Sequence, residues 1–424
     1  MTTSLRVAGG RPLRGRVRVP GDKSISHRAL LLGALADGTS VVRGLSDGDD
    51  VARTRAAIER LGAEVDGDRI TGGPGRLHEP DDVIDVGNSG TTLRLLAGVA
   101  AGFEWLTLLT GDASIRRRPM ARVAEPLRQL GATVDGRDGG RLPPLAIRGG
   151  GLKGIDYELP VASAQVKGAV LLAGLAAEGE TVVRERVPTR SHTEDLLARA
   201  GADVFVEDGG LTTRVGPSLP LRPFTLDVPG DPSQAAFWVV AACLVPGSDV
   251  VVEDVYVGQA RAGFLDVLRR MGADVEVVAD GREVRARATG GPLRGTDVGG
   301  DDIPGLIDEI PVLAVAAACA EGTTVIRDAG ELRVKESDRI AAVATQLSAL
   351  GARVEPRPHG LVIEGRPRGL HGGRVSSGGD HRMAMALAVA GLAAGGDETV
   401  VDGWDAVATS YPRFERDLEA LCGS

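Results

Sequence analysis

This 424-residue chain predicts a mixed α/β fold in two domains, built from six copies of one unit, and three patterns carry that expectation. Six turns of small, Pro- or Gly-rich residues each precede an apolar segment, in most cases rich in Ala, Leu and Val: Pro20-Gly21-Asp22-Lys23, Gly87-Asn88-Ser89-Gly90, Val161-Ala162-Ser163-Ala164, Pro229-Gly230-Asp231-Pro232, Pro304-Gly305-Leu306-Ile307 and Gly378-Gly379-Asp380-His381. β-Branched strands follow, among them Thr39-Ser40-Val41-Val42, Thr181-Val182-Val183, Thr323-Thr324-Val325-Ile326 and Thr399-Val400-Val401. A glycine then recurs every 70 to 80 residues or so, in Leu61-Gly62-Ala63, Leu130-Gly131-Ala132, Ala200-Gly201-Ala202, Met271-Gly272-Ala273 and Leu350-Gly351-Ala352, with Gly423 at the next interval. Such a glycine suits a left-handed cap where a helix turns into a strand. Self-similarity at a near-constant spacing signals repeated units, here six, each with two helices and several short strands.

The length exceeds what one hydrophobic core usually serves, so the units are expected to divide three and three. Hydrophobic residues make up 43% of the chain but aromatic ones only 3%, which predicts aliphatic cores. The 60 glycines are spread through turns and argue against a long disordered linker. Boundaries fall at Pro20-Gly21 and at Asp227-Val228-Pro229-Gly230, giving one domain of residues 1–20 and 228–424 and an inserted domain of residues 21–227. If the strand Arg16-Val17-Arg18-Val19 pairs with the later domain, the chain crosses twice, which makes a natural hinge.

A net charge of −9 does not advertise a nucleic-acid or membrane partner. No apolar run approaches the roughly 18 residues of a membrane span, and the N-terminus lacks a signal-peptide apolar region, so a soluble cytoplasmic protein is expected. Cys243, Cys319 and Cys422 are scattered in apolar or terminal settings and read as core residues in a reducing compartment. The six histidines show no metal-ligand spacing.

Backbone N–H groups at a helix start are unpaired and carry the positive end of the helix dipole, so helix starts favour anions. Several starts converging on one cleft would make a phosphate and carboxylate site, and the side chains beside the turns suit it. Lys23, Ser24 and Arg28 belong to the first unit, with Ser24 and Arg28 four apart on one face. Asn88, Gly90, Thr91 and Arg94 belong to the second, where Gly90 leaves room for a ligand. Ser163, Gln165 and Lys167 lie in the third, Asp308 and Glu309 in the fifth, His381 and Arg382 in the sixth. Arg116-Arg117-Arg118-Pro119 follows a strand ending Leu108-Leu109-Thr110. Arg333-Val334-Lys335-Glu336-Ser337-Asp338-Arg339 opens the helix that ends at Gly351, placing Lys335 and Arg339 four apart. Each feature alone has an ordinary reading: the arginine run as a solvated turn, Asp380 as a helix cap, Lys335 and Glu336 as surface charges. Asp308 is different, because among Ile303, Leu306, Ile307 and Ile310 a carboxylate must find partners. Together they point to a small polyanionic ligand.

Four stretches resemble the 5-enolpyruvylshikimate-3-phosphate synthase family: Pro20-Gly21-Asp22-Lys23-Ser24-Ile25-Ser26-His27-Arg28, Gly87-Asn88-Ser89-Gly90-Thr91-Thr92, the run from Arg333 to Arg339, and Asp380-His381-Arg382-Met383-Ala384-Met385. The resemblance covers almost the whole chain, with the motifs in the family's order. It implies two domains of three βαβαββ units closing on a cleft, and transfer of the enolpyruvyl group of phosphoenolpyruvate to the 5-hydroxyl of shikimate 3-phosphate with release of phosphate. By that resemblance Lys23, Ser24 and Arg28 hold shikimate 3-phosphate, and Lys23 also reaches phosphoenolpyruvate. Ser163 and Gln165 lie around both substrates, Lys335 contacts shikimate 3-phosphate, and Gly90, Arg118, Arg339 and Arg382 surround phosphoenolpyruvate. Asp308 matches the carboxylate beside the attacking hydroxyl, and Glu336 a second one that handles the methylene proton.

The chemistry asks for the same residue types. A carboxylate and a phosphate suit bidentate arginines, and two carboxylates in different environments can share the proton transfers of addition and elimination. No metal or organic cofactor is needed, and a monomer is expected. Some positions depart from the family pattern. Ala408-Thr409-Ser410-Tyr411-Pro412 lacks a Lys that many members have, Glu331 stands where many have Asn, and Ser163-Ala164 replaces paired serines. The run from Ala162 to Lys167 and the stretch Thr189-Arg190-Ser191-His192-Thr193-Glu194 resemble a subgroup in which some members tolerate glyphosate, and there Arg190 would assist with shikimate 3-phosphate. Two other readings compete: a UDP-N-acetylglucosamine enolpyruvyl transferase, which usually carries a Cys in the loop matching Gly111 to Pro119, where this chain has none, and a repeat-built ring clamp around DNA, which would not need Asp308, Glu336 and the cations together.

Overall fold

The six turn-initiated segments form helices α1 (Lys23–Leu35), α2 (Gly90–Ala101), α3 (Ala164–Gly174), α4 (Pro232–Leu244), α5 (Ile310–Ala318) and α6 (His381–Ala393) in a computed structural model that describes residues 3–258, 260–278, 281–288 and 291–423. All six are buried over nearly their whole circumference, the expected fate of a helix without a continuous polar face. The second helix of a unit is amphipathic instead. Gly263–Arg270 buries Phe264, Leu265, Val267 and Leu268 and exposes Asp266, Arg269 and Arg270.

One complete unit runs Ile84–Asp85, α2, Leu106–Thr110, Ala121–Leu130, Thr133–Gly136, Leu142–Arg148. Its first two strands are parallel, and the closing hairpin adds antiparallel strands to the second. This βαβαββ order recurs, and five of the six sheets have four strands. The recurring glycines explain how each amphipathic helix reaches its hairpin. Gly62, Gly131, Gly201, Gly272 and Gly351 have φ of 104°, 112°, 75°, 84° and 91°, a left-handed conformation costly for any residue with a Cβ. The sixth mark differs: Gly423 is the last residue of the helix Phe414–Gly423.

Two compact units divide the chain, Gly21–Val228 in one and Met1–Pro20 with Pro229–Ser424 in the other. In the inserted unit α2 packs against both α1 and α3. A Cβ on Gly98 would lie 2.2 Å from the carbonyl oxygen of Ala169, so α2 and α3 meet backbone to backbone. The first sheet of this unit is completed by Thr225–Asp227, from the far end of its sequence, pairing parallel with Gly38–Arg43.

In the split unit α4, α5 and α6 pack on one another inside a continuous aliphatic core. The strand expected over Arg16 to Val19 spans Arg14–Val17, parallel to Asp249–Val252. Ser4–Ala8 pairs antiparallel with Glu398–Asp402, so the chain's own start supplies an antiparallel strand to the three-stranded sheet of the last repeat. Trp238 stacks on Phe414 with centroids 4.4 Å apart, and its Nε1 donates to Tyr411 Oη at 2.9 Å, tying the terminal helix down. No helix among the described residues is long and apolar enough to cross a membrane. Burial pushes the Cys243 and Cys319 thiols up to about 12, which removes them as nucleophiles at neutral pH.

Candidate active site

Five of the six central helices begin with a side-chain cap that orders the turn before it. Asp22 Oδ1 accepts from Ile25 N at 2.9 Å, Ser89 Oγ from Thr92 N at 3.2 Å, Ser163 Oγ from Val166 N at 3.4 Å, Asp231 Oδ1 from Ser233 N at 2.8 Å and Asp380 Oδ1 from Arg382 N at 3.0 Å. Ser163 is therefore engaged as a cap, and Asp380 is the cap its sequence position suggested. The expected site residues fall into two clusters, one in each unit.

In the inserted unit, Lys23 Nζ donates to Asp50 Oδ2 at 2.8 Å. Arg28 is buried, its Nε donating to Thr193 Oγ1 at 2.7 Å, Nη1 to the Ser24 carbonyl at 3.0 Å and Nη2 to that of Ala164 at 3.1 Å. His27 lies buried between them on α1. Burial, with Lys23 and Arg28 adding to it, holds its pKa well below the usual range, so it stays neutral beside the two cations. On α2, Arg94 Nη1 donates to Gln165 Oε1 at 2.7 Å, and Gln165 Nε2 donates to Thr91 Oγ1 at 2.8 Å. Arg118 is buried rather than solvated, with Nη2 donating to Asn88 Oδ1 at 2.7 Å. Gly90 is flanked by both arginines: a Cβ there would lie 2.8 Å from Arg118 Nη1 and 2.9 Å from Arg94 Nη1. One donor set thus joins the starts of α1, α2 and α3.

In the split unit, Asp308 stands on the short connection between Ile303–Leu306 and α5 and finds the partners its apolar neighbours demand. Lys335 Nζ lies 3.2 Å and Arg339 Nη1 3.4 Å from its Oδ1, Arg382 Nη2 lies 4.0 Å from Oδ2, and Arg382 Nη1 donates to its carbonyl at 3.2 Å. Arg339 also grips Asp380 through Nε at 2.8 Å and Glu336 Oε2 through Nη2 at 2.7 Å. Burial alone would lower the pKa of Arg339, but Asp380, Glu336 and Asp308 raise it beyond the ordinary arginine value. Behind this group, Arg261 Nη2 donates to Asp231 Oδ1 at 2.6 Å and Nη1 to Ser233 Oγ at 2.7 Å, and Ser233 Oγ donates to Glu309.

Two expectations require correction. Lys335 and Arg339 do not share a helix face: Gly330–Val334 is a 3₁₀ turn and Lys335 is extended. Asp338 accepts from Ala341 N at 3.1 Å, so the helix begins only at Arg339. Convergence on Asp308, not helical spacing, brings the two cations together. Lys167 does not join the anion-facing set. It is 1% exposed and lies 2.6 Å from Glu185 Oε2 and 2.7 Å from Glu194 Oε1. Asp50, Thr193 and Asp380 hold site cations without having been singled out for that role. A doubled acid at the start of Asp49–Arg60 was the available signal for Asp50. Among the described residues no group of three or more His, Cys, Asp or Glu is placed to hold a metal ion.

Known proteins match this chain over nearly its whole length. Residues 7–418 match the family profile described as EPSP synthase (3-phosphoshikimate 1-carboxyvinyltransferase). A 3-phosphoshikimate 1-carboxyvinyltransferase of Gloeobacter violaceus is 53% identical over 431 residues, covering 99% of both chains. One of Anaeromyxobacter sp. is 52% identical, covering 100% of this chain and 99% of its own. The solved EPSP synthase of Acinetobacter baumannii is similar with a TM-score of 0.85 and 40% identity over 99% of this chain and 98% of that one. The enolpyruvyl transferase NikO of Streptomyces tendae, 21% identical, shares the fold with a TM-score of 0.80 over the same shares.

Proposed function

This chain belongs to the EPSP synthase (3-phosphoshikimate 1-carboxyvinyltransferase) family, and we propose that it carries out the family's reaction, moving the enolpyruvyl group of phosphoenolpyruvate onto the 5-hydroxyl of shikimate 3-phosphate and releasing phosphate. The relatives at 52 to 53% identity are named for that acceptor, which sets aside UDP-N-acetylglucosamine. The observation that carries the reading is Asp308, a carboxylate flanked by Lys335, Arg339 and Arg382. Such a group can accept a proton while its neighbours hold anions.

Lys23, Ser24, Arg28 and Lys335 bind shikimate 3-phosphate. Gly90, Arg118, Arg339 and Arg382 surround phosphoenolpyruvate, Lys23 reaches it too, and Ser163 and Gln165 lie beside both substrates. Asp308 takes the proton of the 5-hydroxyl as that hydroxyl oxygen bonds to the enol carbon, and Glu336 in its acid form gives a proton to the methylene carbon. Loss of a methyl proton, assigned to Glu336, then expels phosphate and restores the double bond. Arg339, fixed by Asp380 and Glu336, stabilises the anionic tetrahedral intermediate without reorganising. All these groups come from one chain, so the reading requires no second copy.

Replacing Lys23 or Arg28 by Ala is expected to weaken shikimate 3-phosphate binding by roughly tenfold or more, since each change removes a charge-assisted contact. Calorimetric titration checks this, and unchanged affinity in both variants would refute the assignment.

At Gly90 an added methyl meets the guanidinium ends of Arg118 and Arg94 before anything else. Flexible side-chain ends can shift, so Gly90→Ala is expected to fold, to raise the KM for phosphoenolpyruvate modestly, and to weaken glyphosate more because that inhibitor is longer. Inhibition curves at matched ratios of phosphoenolpyruvate to its KM test this. Equal glyphosate inhibition of both proteins would leave Gly90 with a role in the turn alone.

A further inference from the structure

Within residues 189–194, Thr193 and Glu194 each meet a buried cation, Arg28 and Lys167. Thr189 Oγ1 donates to Glu185 Oε1 at 2.6 Å, while Lys167 Nζ lies 2.6 Å from Glu185 Oε2 and 2.7 Å from Glu194 Oε1. Lys167 belongs to α3, and Glu194 to the first turn of the helix His192–Arg199. A buried ammonium between two carboxylates tolerates little displacement, because losing either contact leaves a charge without its partner in low dielectric. The start of that helix is therefore pinned to α3 at a fixed height. Between the two pinned acids comes Thr193, 1% exposed, whose Oγ1 accepts from Arg28 Nε at 2.7 Å.

The other two edges of the Arg28 guanidinium rest on the carbonyls of Ser24 and Ala164. Three neutral oxygens from three segments thus fix its plane, and Thr193 alone among them is a side chain. The helix α3 is shaped to admit the pair. A Cβ on Gly168 would lie 2.9 Å from Thr193 Oγ1 and 3.4 Å from Arg28 Nη2, so only glycine leaves them room.

We propose that Thr193 is a positioning residue for shikimate 3-phosphate: it holds Arg28 in its binding orientation from a place set by the Lys167–Glu185–Glu194 cluster, and does not itself touch the substrate. This rests on the reading that Arg28 binds shikimate 3-phosphate. Thr193→Val keeps the shape and removes the acceptor that Arg28 Nε uses. In the full-length chain it is expected to raise the dissociation constant for shikimate 3-phosphate by roughly tenfold, with the KM for phosphoenolpyruvate and kcat at saturating shikimate 3-phosphate staying within about twofold. Thr193→Ser, which retains the oxygen, is expected to bind nearly as the parent does. Combined with Arg28→Ala, Thr193→Val is expected to add no further loss. Thr193→Ala serves the same comparison if the valine variant does not fold. The proposal is overturned if valine or alanine binds shikimate 3-phosphate like the parent, if serine loses as much as valine, or if the losses of Arg28→Ala and Thr193→Val add in full. Unchanged affinity in Arg28→Ala itself would remove the underlying assignment along with the proposal. A weakened Arg28→Ala beside an unchanged Thr193→Val would remove the proposal alone.

Discussion

Asp308→Asn is expected to lower kcat by about 100-fold or more while leaving both substrates bound. The amide keeps the size of the carboxylate and can still accept a hydrogen bond, but it cannot take up the hydroxyl proton. The surrounding charges set the sign of the binding effect. Lys335, Arg339 and Arg382 remain at 3.2 to 4.0 Å from the side chain, and removing their shared anion leaves them less neutralised toward anionic ligands. Affinity for phosphoenolpyruvate and shikimate 3-phosphate is therefore expected to hold or rise. Steady-state phosphate release combined with calorimetry separates the two effects. Near-parental turnover would remove Asp308 from the proton transfer, and a collapse in affinity would make it a structural anchor for the cations instead.

Asp308 could be singled out from the sequence because its neighbours are apolar, and an ionised group in that setting announces a need for partners. The central helices were legible for a related reason. Runs such as Ala-Leu-Leu-Leu in α1, flanked by a capping Asp and a glycine turn, leave little choice of environment. Five of the six recurring glycines disclosed their positive φ through position alone. What remained hidden were pairings across long stretches of chain. Arg28 meets Thr193 across 165 positions, Arg94 meets Gln165 across 71, and Lys23 meets Asp50 across 27. No local periodicity encodes such contacts. Lys167 shows the consequence: beside a helix start it resembled an anion-binding lysine, and only the fold revealed Glu185 and Glu194 closing over it. Lys335 shows the reverse error, in which the conclusion that it neighbours Arg339 stands although the helical spacing used to reach it does not exist. The Tyr411 region was legible only as a departure from the family pattern. Its aromatic ring and hydroxyl turn out to be committed to Trp238 and Asp417.

Removing the charge of Arg339 is expected to give a stability defect that becomes smaller in acid, opposite to the trend of the parent pair. Arg339 is 1% exposed and Asp380 is fully buried, joined by Nε to Oδ2 at 2.8 Å and Nη2 to Oδ1 at 3.2 Å. Burial works to raise the pKa of Asp380, but Arg339 outweighs it and holds the carboxyl below its ordinary value. In the parent, the stabilisation from this pair is therefore complete above the unfolded carboxyl pKa of about 4 and is lost only as pH falls further. Between pH 7 and 5 it contributes no slope. In Arg339→Met the burial persists without the cation, and Glu336 adds a second negative charge nearby. Asp380 then becomes an uncompensated buried anion, a defect of about 3 to 5 kcal/mol at pH 7. Its folded pKa rises above the unfolded value, so proton uptake on acidification relieves part of that defect. The difference in urea midpoint between parent and variant is thus expected to narrow from pH 7 to pH 5, a comparison in which the titrations common to both proteins cancel. A difference that stays constant or widens would mean that Asp380 does not depend on Arg339 for its charge, and that the arginine serves the site by packing alone.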